Sequence, residues 1–476
     1  MRENTSNKPF YITTTLPYVN GAPHIGFALE IIEADVLARF HSLSGPVVFN
    51  TGTDEHGVNI YRKALELGKT PQEYVDEMAK NFQNLRPLLN LSFTHFARTT
   101  DAHHIQAAQE FWRRCRDAGD IYKKDYRIKY CTGCELEKTD SELSKEGRCL
   151  LHPSKDIEII EEENYFFRWS KYQEMLTQLY KDHPHFVVPE KRLNEVRSFV
   201  AGGLQDFSIS RLKEKMPWGV SVPDDEAHVM YVWFDALVNY ISTIGWPDNT
   251  EEFEKWWPGI QIAGKDNLRQ QAAMWQAMLL SAGLPPSKQI LLNGFINVDG
   301  QKMSKTLGNV ISPMEMIERY GVDGTRYLLL SLGSLGEDFD VNWVRMTEKY
   351  NADLANGLGN LVSRVMKLSE GMKYEGGSTK DENSQELQKL IEEYRIADAL
   401  EYIWSKVREA NKYVDEHKPW VLVKTDQEKL GEVMTNLLWQ LGHIAFLLKS
   451  FLPETAEKIE TALQTGSVAP LFQRIK

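Results

Sequence analysis

The chain has 476 residues, 42% of them hydrophobic and 26% charged, a globular composition in a chain too long for one core. A net charge of −12 excludes bulk non-specific nucleic-acid binding, although a local basic path on an acidic protein stays open. Four cysteines are too few for a disulfide framework, and the polar start, Met1 to Lys8, lacks the apolar core of a signal peptide, so a reducing, cytoplasmic setting is expected.

Phe10 to Leu16 is apolar and β-branched, a plausible buried strand. A turn, Pro17 to Pro23, leads to His24-Ile25-Gly26-Phe27, which opens an apolar-periodic helix through Ile31, Ile32, Val36, Leu37 and Phe40. Strand, turn and helix begin an α/β nucleotide-binding unit, because the N–H groups and positive dipole end of a helix suit phosphate. His24 can donate to a phosphate oxygen, and Gly26 would let a flat base approach the backbone; taken alone, a histidine beside a turn is more often structural. The pattern is neither Gly-x-Gly-x-x-Gly nor a Walker loop. Val47 to Asn50 reads as the second strand and runs into Thr51-Gly52-Thr53-Asp54-Glu55-His56-Gly57. Ligands of open α/β sheets sit at the carboxyl ends of strands, where Asp54 is placed to bind an ammonium group. The alternative for Asp54 is a helix N-cap ahead of Val58 to Leu67.

Cys131-Thr132-Gly133-Cys134 is followed by Cys149-Leu150-Leu151-His152. Three thiolates and one imidazole make a closed tetrahedral set for one structural Zn²⁺, and a redox Cys-x-x-Cys would not need the second pair. Cys115 reads as a core thiol.

Met230 to Tyr240 is unusually aromatic, and Trp233 and Tyr240, seven apart, are expected on one helical face. Gly264-Lys265-Asp266-Asn267 follows a short strand and precedes a helix carrying Met274, Trp275 and Met278. Aromatic stripes at helical spacing are more often core than pocket, but both segments should border the nucleotide site. A pocket of Tyr18, Trp233, Tyr240 and Trp275 would suit a flexible thioether, since sulfur–ring contacts are worth roughly 0.3–1.5 kcal/mol each. Asn293 to Val298 then reads as an apolar strand, with a turn at Asp299-Gly300 and a polar loop in which Lys302 and Lys305 flank Ser304. Two ammonium groups beside a hydroxyl suit phosphate oxygens. A lone Lys-x-x-Lys is usually a solvated turn; the site at His24 gives this one weight.

After Val341-Asn342-Trp343 apolar residues recur at three and four, as in Leu400, Ile403, Trp404 and Val407, which predicts a helix bundle. Leu437 to Leu452, interrupted by Gln440, His443 and Lys449, belongs to it as a buried helix and not a membrane span. Asn360 and Arg364, four apart, share a helix face, and Trp420 follows Pro419 at a helix break. Trp420 there suits stacking on an unpaired base; the alternative is that Asn360 and Arg364 form a surface pair and Trp420 a hydrophobic plug.

His24-Ile25-Gly26-Phe27 resembles the first motif of class I aminoacyl-tRNA synthetases, and Lys302-Met303-Ser304-Lys305-Thr306 resembles the second. With the cysteine set between them, the chain resembles the methionyl-tRNA synthetase family over nearly its whole length. The resemblance implies an α/β fold: a Rossmann-like parallel-sheet catalytic domain with a zinc-knuckle insertion, then an α-helical anticodon-binding bundle. Residues 1–115 and 226–295 would form the two catalytic halves, 116–225 the insertion, 296–350 the second-motif loop and connecting region, and 351–476 the bundle. It implies methionine contacts at Leu16, Tyr18, Asp54, Trp233, Ala236, Tyr240 and Trp275. ATP would meet His24, Gly26, Asp266, Lys302 and Lys305, with His24, Lys302 and Lys305 catalytic. Zinc would bind Cys131, Cys134, Cys149 and His152, and the anticodon Asn360, Arg364 and Trp420. The implied activity is methionine–tRNA ligation with ATP and Mg²⁺, on initiator and elongator tRNA(Met). The insertion reads as too short for the hydrolytic editing domain of leucyl, isoleucyl and valyl relatives, and with no appended barrel after Lys476 a monomer is expected.

Three positions depart from the family pattern. Phe27 stands where a second histidine is usual, Asn267 where an aliphatic residue is common, and Gln271 where a histidine often orients the tyrosine matching Tyr240. A cysteinyl ligase, which holds its substrate thiolate on an active-site zinc, is disfavoured by the closed metal set. A non-catalytic tRNA-binding paralogue draws support from Phe27 and is opposed by Asp54 and the lysine pair.

Overall fold

Phe10–Thr13, wholly buried, lies in the middle of a six-stranded sheet. The order across the sheet is His95–Arg98, Val47–Thr53, Phe10–Thr13, Ile260–Gly264, Gln289–Asn293 and Val187–Val188. Every neighbouring pair is parallel, with Ile12 beside Phe49 on one side and Ile260 on the other. Parallel strands are covered on both faces and need near-continuous apolar runs, which Phe-Tyr-Ile-Thr and Gln-Ile-Leu-Leu-Asn supply. The winding reverses at Phe10–Thr13, so a crevice opens outside the carboxyl ends of the strands there. The computed structural model describes residues 9–134, 136–138, 142–303, 307–370, 372, 383–467 and 469–476.

Between the halves of the sheet, Ile121–Cys131, Leu136–Lys138, Ile157–Phe167 and Phe207–Ser208 pair antiparallel as a separate four-stranded sheet. Segment 116–225 also supplies the last edge strand of the main sheet, Val187–Val188, beside Ile290 and Leu291. Two capping boxes, Thr70 with Glu73 and Ser312 with Glu315, each with a first-turn proline, start the helices Pro71–Gln83 and Pro313–Leu332. The second of these kinks at Gly321, whose φ of 71° is a left-handed value.

Met230 to Tyr240 is not one helix. Val232–Ala236 and Asn239–Ser242 are separate short helices. At the joint, Asn239 Nδ2 donates to Ala236 O at 2.7 Å and Asn50 Nδ2 donates to Asn239 Oδ1 at 3.0 Å, so side-chain bonds compete with the helical ladder.

The C-terminal helices include Asn360–Leu368, Asn383–Glu392, Ile396–His417, Gln427–Leu448 and Pro453–Thr465. One apolar core runs unbroken from the helix Ile25–Ser42 through Pro313–Leu332 into this bundle, and a second fills the other face of the sheet. Among the described residues, no helix is long and apolar enough to cross a membrane.

Candidate active site

A cavity of about 630 Å³ opens at the carboxyl ends of the central strands. Leu16, Tyr18, His24, Gly26, Asp54, Trp233, Ala236, Tyr240, Asp266 and Lys302 all line it. His24 is the N-cap of Ile25–Ser42, its Nδ1 accepting from Gly26 N at 3.0 Å. An accepting Nδ1 puts the ring proton on Nε2, which makes that atom a donor for a phosphate oxygen. Gly26 also serves this cap: a Cβ there would stand 2.8 Å from His24 Cε1. Phe27, at the cavity edge, is buried edge-on against Phe82 with ring centroids 5.8 Å apart.

Asp54 is not the cap of the following helix; Gly57 holds that position. Asp54 is fixed through its backbone to the Tyr18 turn, with Val19 N donating to Asp54 O at 3.2 Å and Asp54 N to Pro17 O at 3.0 Å. Behind the wall, fully buried Asp235 bonds His56 Nδ1 at 2.9 Å and His104 Nε2 at 3.1 Å, tying the Asp54 segment to the aromatic one. Gln271 Nε2 donates to Tyr240 OH at 2.7 Å, so an amide does the orienting where the resemblance expects an imidazole. Burial, against that hydrogen bond and with Glu30 and Asp54 nearby, pushes the phenol up and keeps it protonated. Trp275 is not among the lining residues. It is fully buried, 5.9 Å from the Tyr240 ring and stacked on Phe111 at 5.5 Å, a second layer behind the aromatic wall.

Across the cavity, Ile296–Val298 and Gln301–Lys302 form a hairpin. Asp299 and Gly300 both take left-handed φ values, 51° and 74°, as a two-residue turn between twisted strands requires. Exposed Lys302 rests its ammonium 4.5 Å from the Phe295 ring centroid, and Lys265 lies 4.2 Å from the same ring. Lys265 is bound to Asp338, whose Oδ1 also accepts from Phe295 N at 2.9 Å. Ser304, Lys305 and Thr306 lie outside the described residues.

Cys131, Cys134, Cys149 and His152 converge, their ligand atoms all within 4.8 Å of one another. Cys134 Sγ is 3.5 Å from Cys149 Sγ and 3.1 Å from His152 Nδ1. Tetrahedral zinc–thiolate bonds place sulfurs about 3.8 Å apart, so the donor set fits Zn²⁺ and closes its shell. Gly133 is required here, since a Cβ would stand 2.6 Å from His152 Cγ. The knuckle borders the cavity through Gly133 and Cys134, and Asn59 Nδ2 donates to Thr132 O at 3.2 Å.

In the bundle, Arg364 and Trp420 meet: the guanidinium lies 5.4 Å from the indole and bonds Asp415 at 3.1 Å. Trp420 is 43% exposed, just past left-handed Lys418, where Ile396–His417 gives way to Pro419–Thr425. Asn360 is exposed one turn before Arg364 on Asn360–Leu368.

The family model for class I tRNA synthetases (M) matches residues 10–151 and 137–366, and that for the anticodon binding domain of methionyl tRNA ligase matches 377–471. The chain belongs to the methionyl-tRNA synthetase family. The methionine–tRNA ligase of Thermotoga maritima is 41% identical, over 94% of this chain and 74% of that protein. That of Nostoc sp. is 41% identical over 97% of this chain and 91% of its own. A Mycobacterium tuberculosis methionyl-tRNA synthetase in complex with methionyl-adenylate superposes with a TM-score of 0.90 at 38% identity, over 97% of this chain and 94% of that one. The apo form of the same organism's enzyme gives 0.83 at 34% identity, over 98% of each chain.

Sequence reasoning missed three residues of this cleft. Glu30 lines it, with Oε1 accepting from Thr15 N at 2.8 Å and Thr15 Oγ1 at 2.6 Å. Burial, opposed by those bonds and helped by the charges of Asp266 and Glu33, pushes its carboxyl up to about 8. Asn293 lines the cleft and donates to buried Glu33 at 2.6 Å, and Phe295 seats Lys302. The available signal was three acids, Glu30, Glu33 and Asp35, in the otherwise apolar and buried run Phe27 to Ala38.

Proposed function

We propose that this cleft activates L-methionine with ATP and Mg²⁺ and that the chain transfers it to tRNA(Met), initiator and elongator. One observation carries the reading: a histidine donor, an ammonium group and a carboxylate converge with an aromatic wall on a single cavity. Asp54 binds the methionine ammonium. The thioether lies in the slot of Leu16, Tyr18, Trp233, Ala236 and Tyr240, with Trp275 backing Tyr240. Asp266 holds the ribose hydroxyls of ATP, and Gly26 keeps the His24 cap open to the phosphates.

The methionine carboxylate attacks the α-phosphate in line, forming methionyl-adenylate and releasing pyrophosphate. Charge grows on the leaving phosphates, where His24 Nε2–H and the ammonium groups of Lys302 and Lys305 stabilise it. The terminal ribose 2′-hydroxyl of the tRNA then attacks the adenylate carbonyl, giving up its proton and forming the methionyl ester as AMP leaves. No enzyme nucleophile is needed; catalysis is positioning and charge stabilisation. Zn²⁺ on Cys131, Cys134, Cys149 and His152 would have no open position and would hold the knuckle at the cavity edge. A reducing cytoplasm suits those thiolates. Trp420 stacks on an anticodon base while Asn360 and Arg364 hydrogen-bond base edges.

The test is methionine charging of tRNA(Met) with its anticodon intact and with its first anticodon base changed. A fall of at least about a hundredfold in kcat/KM is expected. Equal charging of both would remove the anticodon role.

A further inference from the structure

Arg326 is a guanidinium with no solvent exposure. Its Nε donates to Phe451 O at 2.7 Å, its Nη1 to Leu89 O at 3.1 Å, and its Nη2 to Asp35 Oδ2 at 2.8 Å and Ser450 O at 3.3 Å. These acceptors come from three separate parts of the chain. Asp35 lies on Ile25–Ser42, the helix that His24 caps; the eleven steps from 24 to 35 span about 16 Å of helix. Ser450 and Phe451 follow the last turn of Gln427–Leu448, where carbonyls lack helical partners and a cation is favoured.

Three residues before Arg326, Asp323 Oδ2 accepts from Thr455 N at 2.6 Å. Thr455 is in the first turn of Pro453–Thr465, whose cap position holds Leu452, a side chain with no acceptor. Asp323 supplies the missing cap from another helix. The helix Pro313–Leu332 therefore offers a cation to the carboxyl end of one bundle helix and an anion to the amino end of the next. The same guanidinium reaches the helix of the phosphate site.

We propose that Arg326, with Asp323 beside it, is the positioning residue that fixes the anticodon bundle to the phosphate-site helix, so that a tRNA held at one end meets the other. This rests on the proposed function. Methionine activation involves no tRNA, so the joint acts on transfer alone. Asp35 keeps Arg39 at 2.8 Å and Ser92 N and Oγ at 2.6 Å each, so loss of Arg326 does not strand its charge.

The experiment compares Arg326→Met and Asp323→Ala with the parent in three assays. These are methionine-dependent ATP–pyrophosphate exchange, binding of an isolated tRNA(Met) anticodon stem–loop, and charging of full tRNA(Met). Exchange and stem–loop Kd should stay within about twofold of the parent, while kcat/KM for charging falls about tenfold or more. Unchanged charging in both variants would overturn the proposal. So would exchange or stem–loop binding that falls as far as charging, since Arg326 would then hold up one unit and not the joint. Asp323→Ala, which removes the acceptor for Thr455 N, carries the test where Arg326→Met does not fold. A parent that neither exchanges nor charges would sink the proposed function instead.

Discussion

His24 and Lys302, the two groups proposed to face phosphate, are held in opposite ways. His24 starts an eighteen-residue helix buried on nearly every side, and its ring is locked by the bond to Gly26 N. Lys302 lies exposed on a two-residue strand beyond a tight turn, its ammonium resting on Phe295. A preformed donor needs no reorganisation when charge develops. A cation that must admit ATP and release pyrophosphate belongs on a weakly held element.

Lys302→Ala should give the largest effect. Methionine-dependent exchange is expected to fall on the order of a hundredfold or more, with no change in the thermal midpoint. A lowered midpoint would show that the hairpin is held as firmly as the helix. The His24 side sharpens the contrast, because one ring does two jobs. His24→Ala and His24→Asn should both lose roughly a hundredfold in exchange. Only the alanine variant should also lose stability, by about 1 kcal/mol, since asparagine keeps a cap acceptor. Equal denaturation midpoints for the two would break the account of the cap.

Phe27→His tests whether the His24 side tolerates the family's usual residue. Exchange should hold or rise, while stability falls by about 1–2 kcal/mol as the ring leaves Phe82. A large loss of exchange would mean that the Phe27 packing itself shapes the site. The smallest effect concerns Glu33, raised from 4.5 to about 8 chiefly by burial, against the Asn293 bond. Below 4.5 the carboxyl is neutral in both states; as pH climbs toward 8 the unfolded chain ionises first, so stability declines. Glu33→Gln should flatten that decline, with its advantage largest at the alkaline end of urea titrations. An unchanged slope would assign the pH dependence elsewhere.

Much of this was legible where the signal is local. The strand, turn and helix around His24, the cysteine set and the Asp299-Gly300 turn each follow from neighbouring residues. The resemblance then supplied roles that spacing alone left open. What escaped depends on distant partners. Val187–Val188 is a strand only because Ile290 and Leu291 lie beside it. The break before Asn239 depends on Asn50, 189 residues away. Gly26 has a second use that spacing could not show, because the His24 ring lies over it in the fold. Glu30 and Arg326 were hidden in runs that periodicity assigns to core.

The most direct test of the central claim is amino-acid-dependent ATP–pyrophosphate exchange by the zinc-loaded protein, with methionine, cysteine, leucine, isoleucine and valine in parallel. The account predicts exchange with methionine alone. Exchange with a different amino acid would contradict the reading of the aromatic slot. No exchange with any of them, from folded protein, would contradict the catalytic claim and leave a tRNA-binding paralogue.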